Sequence, residues 1–144
     1  MHLPIYPPIP MTLAVKVISP DQTVLDVEAE EIILPSTTGQ LGILTDHVPL
    51  LTALDIGVMR YYHNNAWQAI ALMGGFAEVE ANEVTVLVNS AELANSIDPA
   101  IAKQELSTAE QALNQVKPED KQGKILAETN LKRARARLQA TVSA

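Results

Sequence analysis

The side chains able to do chemistry are few and scattered. The histidines, His2, His47 and His63, share no ligand-like spacing, whereas a metal site needs donors that converge. They read as structural or surface groups. The chain has no cysteine, which removes thiolate zinc sites, iron–sulfur clusters, disulfide frameworks and thiol nucleophiles together. Gly74-Gly75 is not followed by Lys-Ser/Thr and opens no helical pattern, so it is no phosphate loop. No nucleophile can be paired with a base. Lys132, Arg133, Arg135 and Arg137 form a dense basic stretch. A nucleic-acid surface would interleave such charge with aromatics on a basic chain, but the net charge is −7 and no aromatic follows Phe76. The chemistry on offer is recognition by charge. No enzyme activity, metal, cofactor or nucleic-acid partner is expected.

That charge is carried unevenly. Residues 1–96 hold Lys16 and Arg60 against eleven acids, whereas residues 97–144 hold eight bases against six acids. Such asymmetry points to two parts with different partners. Bases near a helix C-terminus also complement its dipole. Composition breaks at the same place. Val, Ile and Thr supply 23 of the 86 residues in 11–96 but five of the 43 in 98–140. The later stretch is rich in Ala, Gln, Glu, Leu and Lys. β-branched residues suit strands and the second set suits helices. The expected domains are therefore an extension outside the fold (1–10), a β-sandwich (11–96) and a helical hairpin (97–144). The extension, with four prolines and no Lys or Arg, lacks the basic start and apolar core of a signal peptide. No apolar run approaches the ~20 residues of a membrane span.

Within 11–96, Leu13, Val15 and Val17 share one face, as do Val84, Val86 and Val88, the period of half-buried strands. Ala77, Val79 and Ala81 face one way, with Glu78 and Glu80 opposite. The paired Glu30 and Glu31 interrupt this habit and suggest a bulge or edge. Asn64-Asn65 reads as a tight hairpin, and Asn82 as another turn. Pro35, Pro49 and glycines 39, 42, 57, 74 and 75 punctuate the strands. The expectation is α+β: an all-β sandwich or flattened barrel of about ten short strands, then an antiparallel two-helix hairpin. Asp98 suits a helix N-cap and Pro99 the first helical position. Ala102, Leu106, Ala109, Leu113 and Val116 make one thin apolar stripe; Ala127, Leu131, Ala134 and Leu138 make another. A hairpin so thinly apolar buries little area, so its docking is expected to be weak.

Gly39, Leu41, Gly42 and Ile43, then His47, Pro49, Leu50 and Leu51, then Gly57 and Arg60 follow a recognisable order. With Gly74-Gly75-Phe76 and the run from Asn82 to Leu87, this pattern closely resembles the epsilon subunit of F-type ATP synthases. The resemblance spans residues 11 to about 140 and is similar to epsilon subunits of photosynthetic membranes. It implies a non-catalytic central-stalk subunit, peripheral on an energy-transducing membrane such as the thylakoid, on its cytoplasmic or stromal side. The sandwich would grip the gamma subunit. The loop Thr37, Thr38, Gly39, Gln40 and Leu41 would rest on the membrane rotor ring. Gln40 stands where relatives often carry an acid, which favours hydrogen bonds and shape over an ionic contact.

The resemblance also implies that the hairpin can extend toward the alpha and beta subunits of the catalytic head and inhibit ATP hydrolysis. Lys132, Arg133, Arg135 and Arg137 are the expected inhibitory contacts, steered by charge. Some relatives bind ATP at the start of the first helix. Here that motif reads Ile97, Asp98, Ile101 and Ala102, with Ile101 where an arginine would meet phosphate. Weak or absent ATP binding is expected. The alternatives are an ATP-sensing module and a sugar- or peptide-binding sandwich. Three of the four aromatics inside the domain fall within one hairpin, which disfavours the second.

Overall fold

A computed structural model describes residues 12–143; the expected extension, 1–10, lies outside them. Alternation builds the first strand. β1 (Leu13–Ile18) buries Leu13, Val15 and Val17 and exposes Ala14 and Lys16, the period-two pattern of a strand with one wet face. There follow β2 (Thr23–Ala29), β3 (Glu31–Ser36), β4 (Gly39–Ile43), β5 (Leu50–His63), β6 (Ala66–Glu80), β7 (Glu83–Val88) and β8 (Ala91–Leu93). A 3-10 turn (Ala94–Ser96) leads into α1 (Pro99–Asn114) and α2 (Lys121–Val142). The hydrogen-bonded order is β2-β1-β7-β6-β5-β3-β4, with β8 also paired to β6. β1 and β7 run parallel; the other pairs are antiparallel.

Among the described residues, eight strands replace the expected ten or so, because β5 and β6 are 14 and 15 residues long. Gly57 and Gly74-Gly75, read from sequence as breaks, are carried through as part of one long ladder. Before Gly74, Ile70 and Leu72 point into the core; after Gly75, Ala77 and Val79 do. The first half of β6 pairs with β8 and the second with β7, so these two strands each serve both layers of the sandwich. Gly75 is obligatory there. Its φ of 153° is in a region that favours glycine, and a Cβ would collide with the Leu87 carbonyl.

Two turns have left-handed pairs, Asn64 and Asn65 at φ 52° and 62°, and Ala81 and Asn82 at 49° and 62°. Type I′ hairpin turns require positive φ at both central positions. Ala81 is thus part of a turn, not the strand face where its spacing put it. Glu30 and Glu31 form the corner between β2 and β3 and make no bulge. Alternation holds through β3, with Ile32, Leu34 and Ser36 buried.

Leu13, Ile32, Leu34, Ile43, Met59, Ile70 and Leu72 fill the space between the layers, all without solvent exposure. A second, smaller apolar cluster joins the hairpin to the sandwich. Ala69, Ala71 and Met73 on β6 meet Ile97, Ala102 and Ala140, bordered by Ile56, Val58 and Leu138. α2 therefore buries a different set of positions from its expected stripe, of which Leu131 and Leu138 are only half-buried. Ala127 and Ala134 belong to that stripe, but Ala136 and Ala140 are buried too.

Candidate functional site

The β3–β4 tip is tied down by side-chain and backbone hydrogen bonds. Ser36, 8% exposed, shares hydrogen bonds with the Thr38 and Thr52 hydroxyls at 3.1 Å each. The Thr38 amide donates to Ser36 Oγ (3.3 Å) and the Thr37 amide to the Ala53 carbonyl (3.2 Å). These bonds tie the turn to β5. Gly39, at φ 129°, has open space around it, so backbone conformation, not crowding, asks for glycine. Thr37, Thr38, Gly39 and Gln40 are exposed, whereas Leu41 leans on the core. The tip thus presents hydroxyls, an amide and bare backbone, and no charge.

At the start of α1, Asp98 Oδ1 accepts from the Ala100 amide (2.9 Å) and the Ile101 amide (3.4 Å), a standard N-cap. Ile97 and Ala102 are buried in the hairpin seam, while Ile101 is 51% exposed. A groove of about 480 Å³ runs between the helices past Ile101, Glu105, Thr108, Asn130, Arg133 and Arg137. The four motif positions supply this groove with an apolar side chain and no cation.

The basic stretch divides. Arg137 Nε donates to Glu92 Oε2 on β8 at 2.6 Å, and its Nη1 donates to Glu105 Oε2 on α1. Its side chain is 24% exposed. The hydrogen bond to Glu92 leads in raising its pKa above the usual arginine value, against an opposing effect of burial. Lys132 Nζ lies 3.9 Å from Asp55 Oδ1, with both side chains about half exposed. Among the described residues, Arg133 and Arg135 have no ion-pair partner; both are exposed. Nothing in the sequence pairs Arg137 with an acid 45 positions away on a strand.

The other outer face carries a feature that the sequence reading missed. Ile18, Leu87, Phe76 and Ala53 are successive cross-strand neighbours on β1, β7, β6 and β5. Phe76 is 57% and Leu87 52% exposed. Strand alternation puts Phe76 and Leu87 on the outward side, and the strand order aligns them into one row. His2 lies outside the described residues; His47 and His63 serve the backbone. His47 Nδ1 donates to the Val48 carbonyl (2.7 Å) and His63 Nδ1 to the Glu28 carbonyl (2.6 Å).

Comparison with known proteins matches both parts. The family described as ATP synthase, Delta/Epsilon chain, beta-sandwich domain matches residues 12–94. The corresponding long alpha-helix domain matches residues 95–141. The chain is 62% identical over 132 residues to the ATP synthase epsilon chain of Nostoc punctiforme, covering 90% of this chain and 96% of that one. It is 61% identical over 131 residues to that of Thermosynechococcus vestitus, with 90% and 95% covered. In fold it is similar to a chain of the Euglena gracilis mitochondrial ATP synthase (TM-score 0.78, 21% identity, 94% of this chain and 84% of that). It is also similar to one in the Tetrahymena thermophila central stalk and c-ring structure (TM-score 0.58, 17% identity, 90% and 96%).

Proposed function

This chain belongs to the ATP synthase delta/epsilon chain family, and from that premise we propose that it is a central-stalk subunit that links gamma to the membrane rotor ring and restrains ATP hydrolysis. It is a stalk subunit, not the catalytic one. The observation that carries the reading is the unequal treatment of the sandwich's outer faces. The hairpin covers one; the other leaves Phe76 and Leu87 open in an apolar row. Large exposed apolar side chains in register mark a protein interface, and gamma is its occupant. The uncharged tip at Thr37–Leu41 meets the ring through hydrogen bonds and shape. Replacing Phe76 and Leu87 by Ser lowers affinity for isolated gamma about tenfold or more; unaltered binding refutes the assignment of this face.

The cationic residues of α2 act as the brake. Acidic surface on the alpha and beta subunits attracts Lys132, Arg133, Arg135 and Arg137 when the hairpin extends. Two arrangements separated by a few kcal/mol suffice for such a switch. In the assembled complex, changing all four to Ala relieves inhibition of hydrolysis, and persistent inhibition rejects the role. The inter-helix groove lacks the arginine of the ATP motif, since Ile101 stands at that position and Arg137 is engaged by Glu92 and Glu105, which leaves Arg133 as the unpaired cation lining it among the described residues. Titration calorimetry with ATP should show no micromolar binding. Among the described residues, no helix is long and apolar enough to cross a membrane. The chain is held at the thylakoid through its complex, consistent with the cyanobacterial source of its relatives.

A further inference from the structure

Arg137 joins three elements with one side chain: it lies on α2, Glu92 on β8 and Glu105 on α1. A guanidinium is a planar fork that can serve two carboxylates at once, and charge-assisted bonds of this kind are the stronger ones. The other cations of the stretch are not held this way. Lys132 faces Asp55 across 3.9 Å with both side chains about half exposed, where solvent screens most of the attraction. The apolar contact beneath the hairpin rests largely on alanines, Ala69, Ala71, Ala102 and Ala140, each with one methyl to contribute.

We propose that Glu92 and Glu105 form a two-carboxylate clasp on Arg137 that sets how long the hairpin stays docked and withholds this guanidinium from any other acidic partner. The two acids divide the task. Glu105 lies within the hairpin and can keep Arg137 when the helices move together; it aims the fork. Glu92 lies on the sandwich, so undocking must break its bond. The consequence for hydrolysis rests on the braking role proposed above, while the clasp stands without it.

The absence of cysteine makes a thiol reporter clean. Met73 is 8% exposed beneath the hairpin, and Met73→Cys in the full chain makes its maleimide labelling a measure of undocking. Glu92→Gln should speed labelling about tenfold, equivalent to about 1.4 kcal/mol, and Glu105→Gln should speed it less. Added salt should speed the parent and leave the Glu92→Gln variant nearly unchanged. Arg137→Gln should match Glu92→Gln, and combining the two should add nothing. An unaltered rate in Glu92→Gln, or full additivity with Arg137→Gln, overturns the clasp. In the assembled ATPase, Glu92→Gln should deepen inhibition and Arg137→Gln should relieve it. Faster labelling with hydrolysis unmoved upholds the clasp and overturns the brake; altered hydrolysis with labelling unmoved overturns the clasp.

Discussion

The sandwich core and the hairpin seam are both apolar, yet they are built from different residues. The core packs Leu, Ile, Val and Met side chains with little or no exposure. Each such side chain contributes roughly 1.5–3 kcal/mol when fully buried. The seam packs Ala69, Ala71, Ala102 and Ala140, with Met73 and Ile97 as its larger members. An alanine methyl contributes only about 0.8 kcal/mol, and small residues also let backbones approach without interlocking. Large branched side chains make a join that persists, whereas a small-residue seam pinned by ion pairs suits a join meant to be broken.

The largest effect should come from the core. Ile70→Ala, at a position with no exposure, should cost roughly 2–5 kcal/mol of sandwich stability in urea denaturation. An equal loss from seam and core substitutions would erase the contrast. Asp98→Ala removes the α1 cap and should cost about 1 kcal/mol of helix stability, lowering hairpin helicity by circular dichroism while the sandwich transition holds. Leu138→Ala, half-buried at the edge of the seam, should speed Met73→Cys labelling without moving the urea midpoint of the sandwich. The smallest effect concerns pH. Burial raises the Tyr61 hydroxyl above 10.0, so the folded state holds its proton more tightly than the unfolded chain. That contribution is complete below pH 10.0 and fades as pH climbs through the raised value. Tyr61→Phe should flatten the alkaline decline in the urea midpoint.

Legibility in the sequence follows the range of the interactions. Leu13, Val15 and Val17, the Asn64-Asn65 turn and the Asp98 cap each depend on neighbours a few positions away, and each could be read from the chain. The continuity of β5 and β6 could not. Glycine signals a break and a bend alike, and only the partner strand decides which. The sheet-facing positions of α2, Ala136 and Ala140, lie off the stripe that pairs the helices and needed the sandwich to explain them. The Phe76 and Leu87 row and the acids facing Arg137 depend on strand order and docking, which no local spacing encodes. The candidate tip was legible as a turn. Its hydroxyl tether from Ser36 to Thr52, 16 residues apart, was not.

Because β5 and β6 pass unbroken from one layer to the other, the layers cannot slide past each other without stretching main chain. Torsional load applied to the face bearing Phe76 reaches the face under the hairpin through covalent backbone, not through side-chain friction alone. A block built this way resists shear as one unit, so whatever yields first under strain is the appended hairpin.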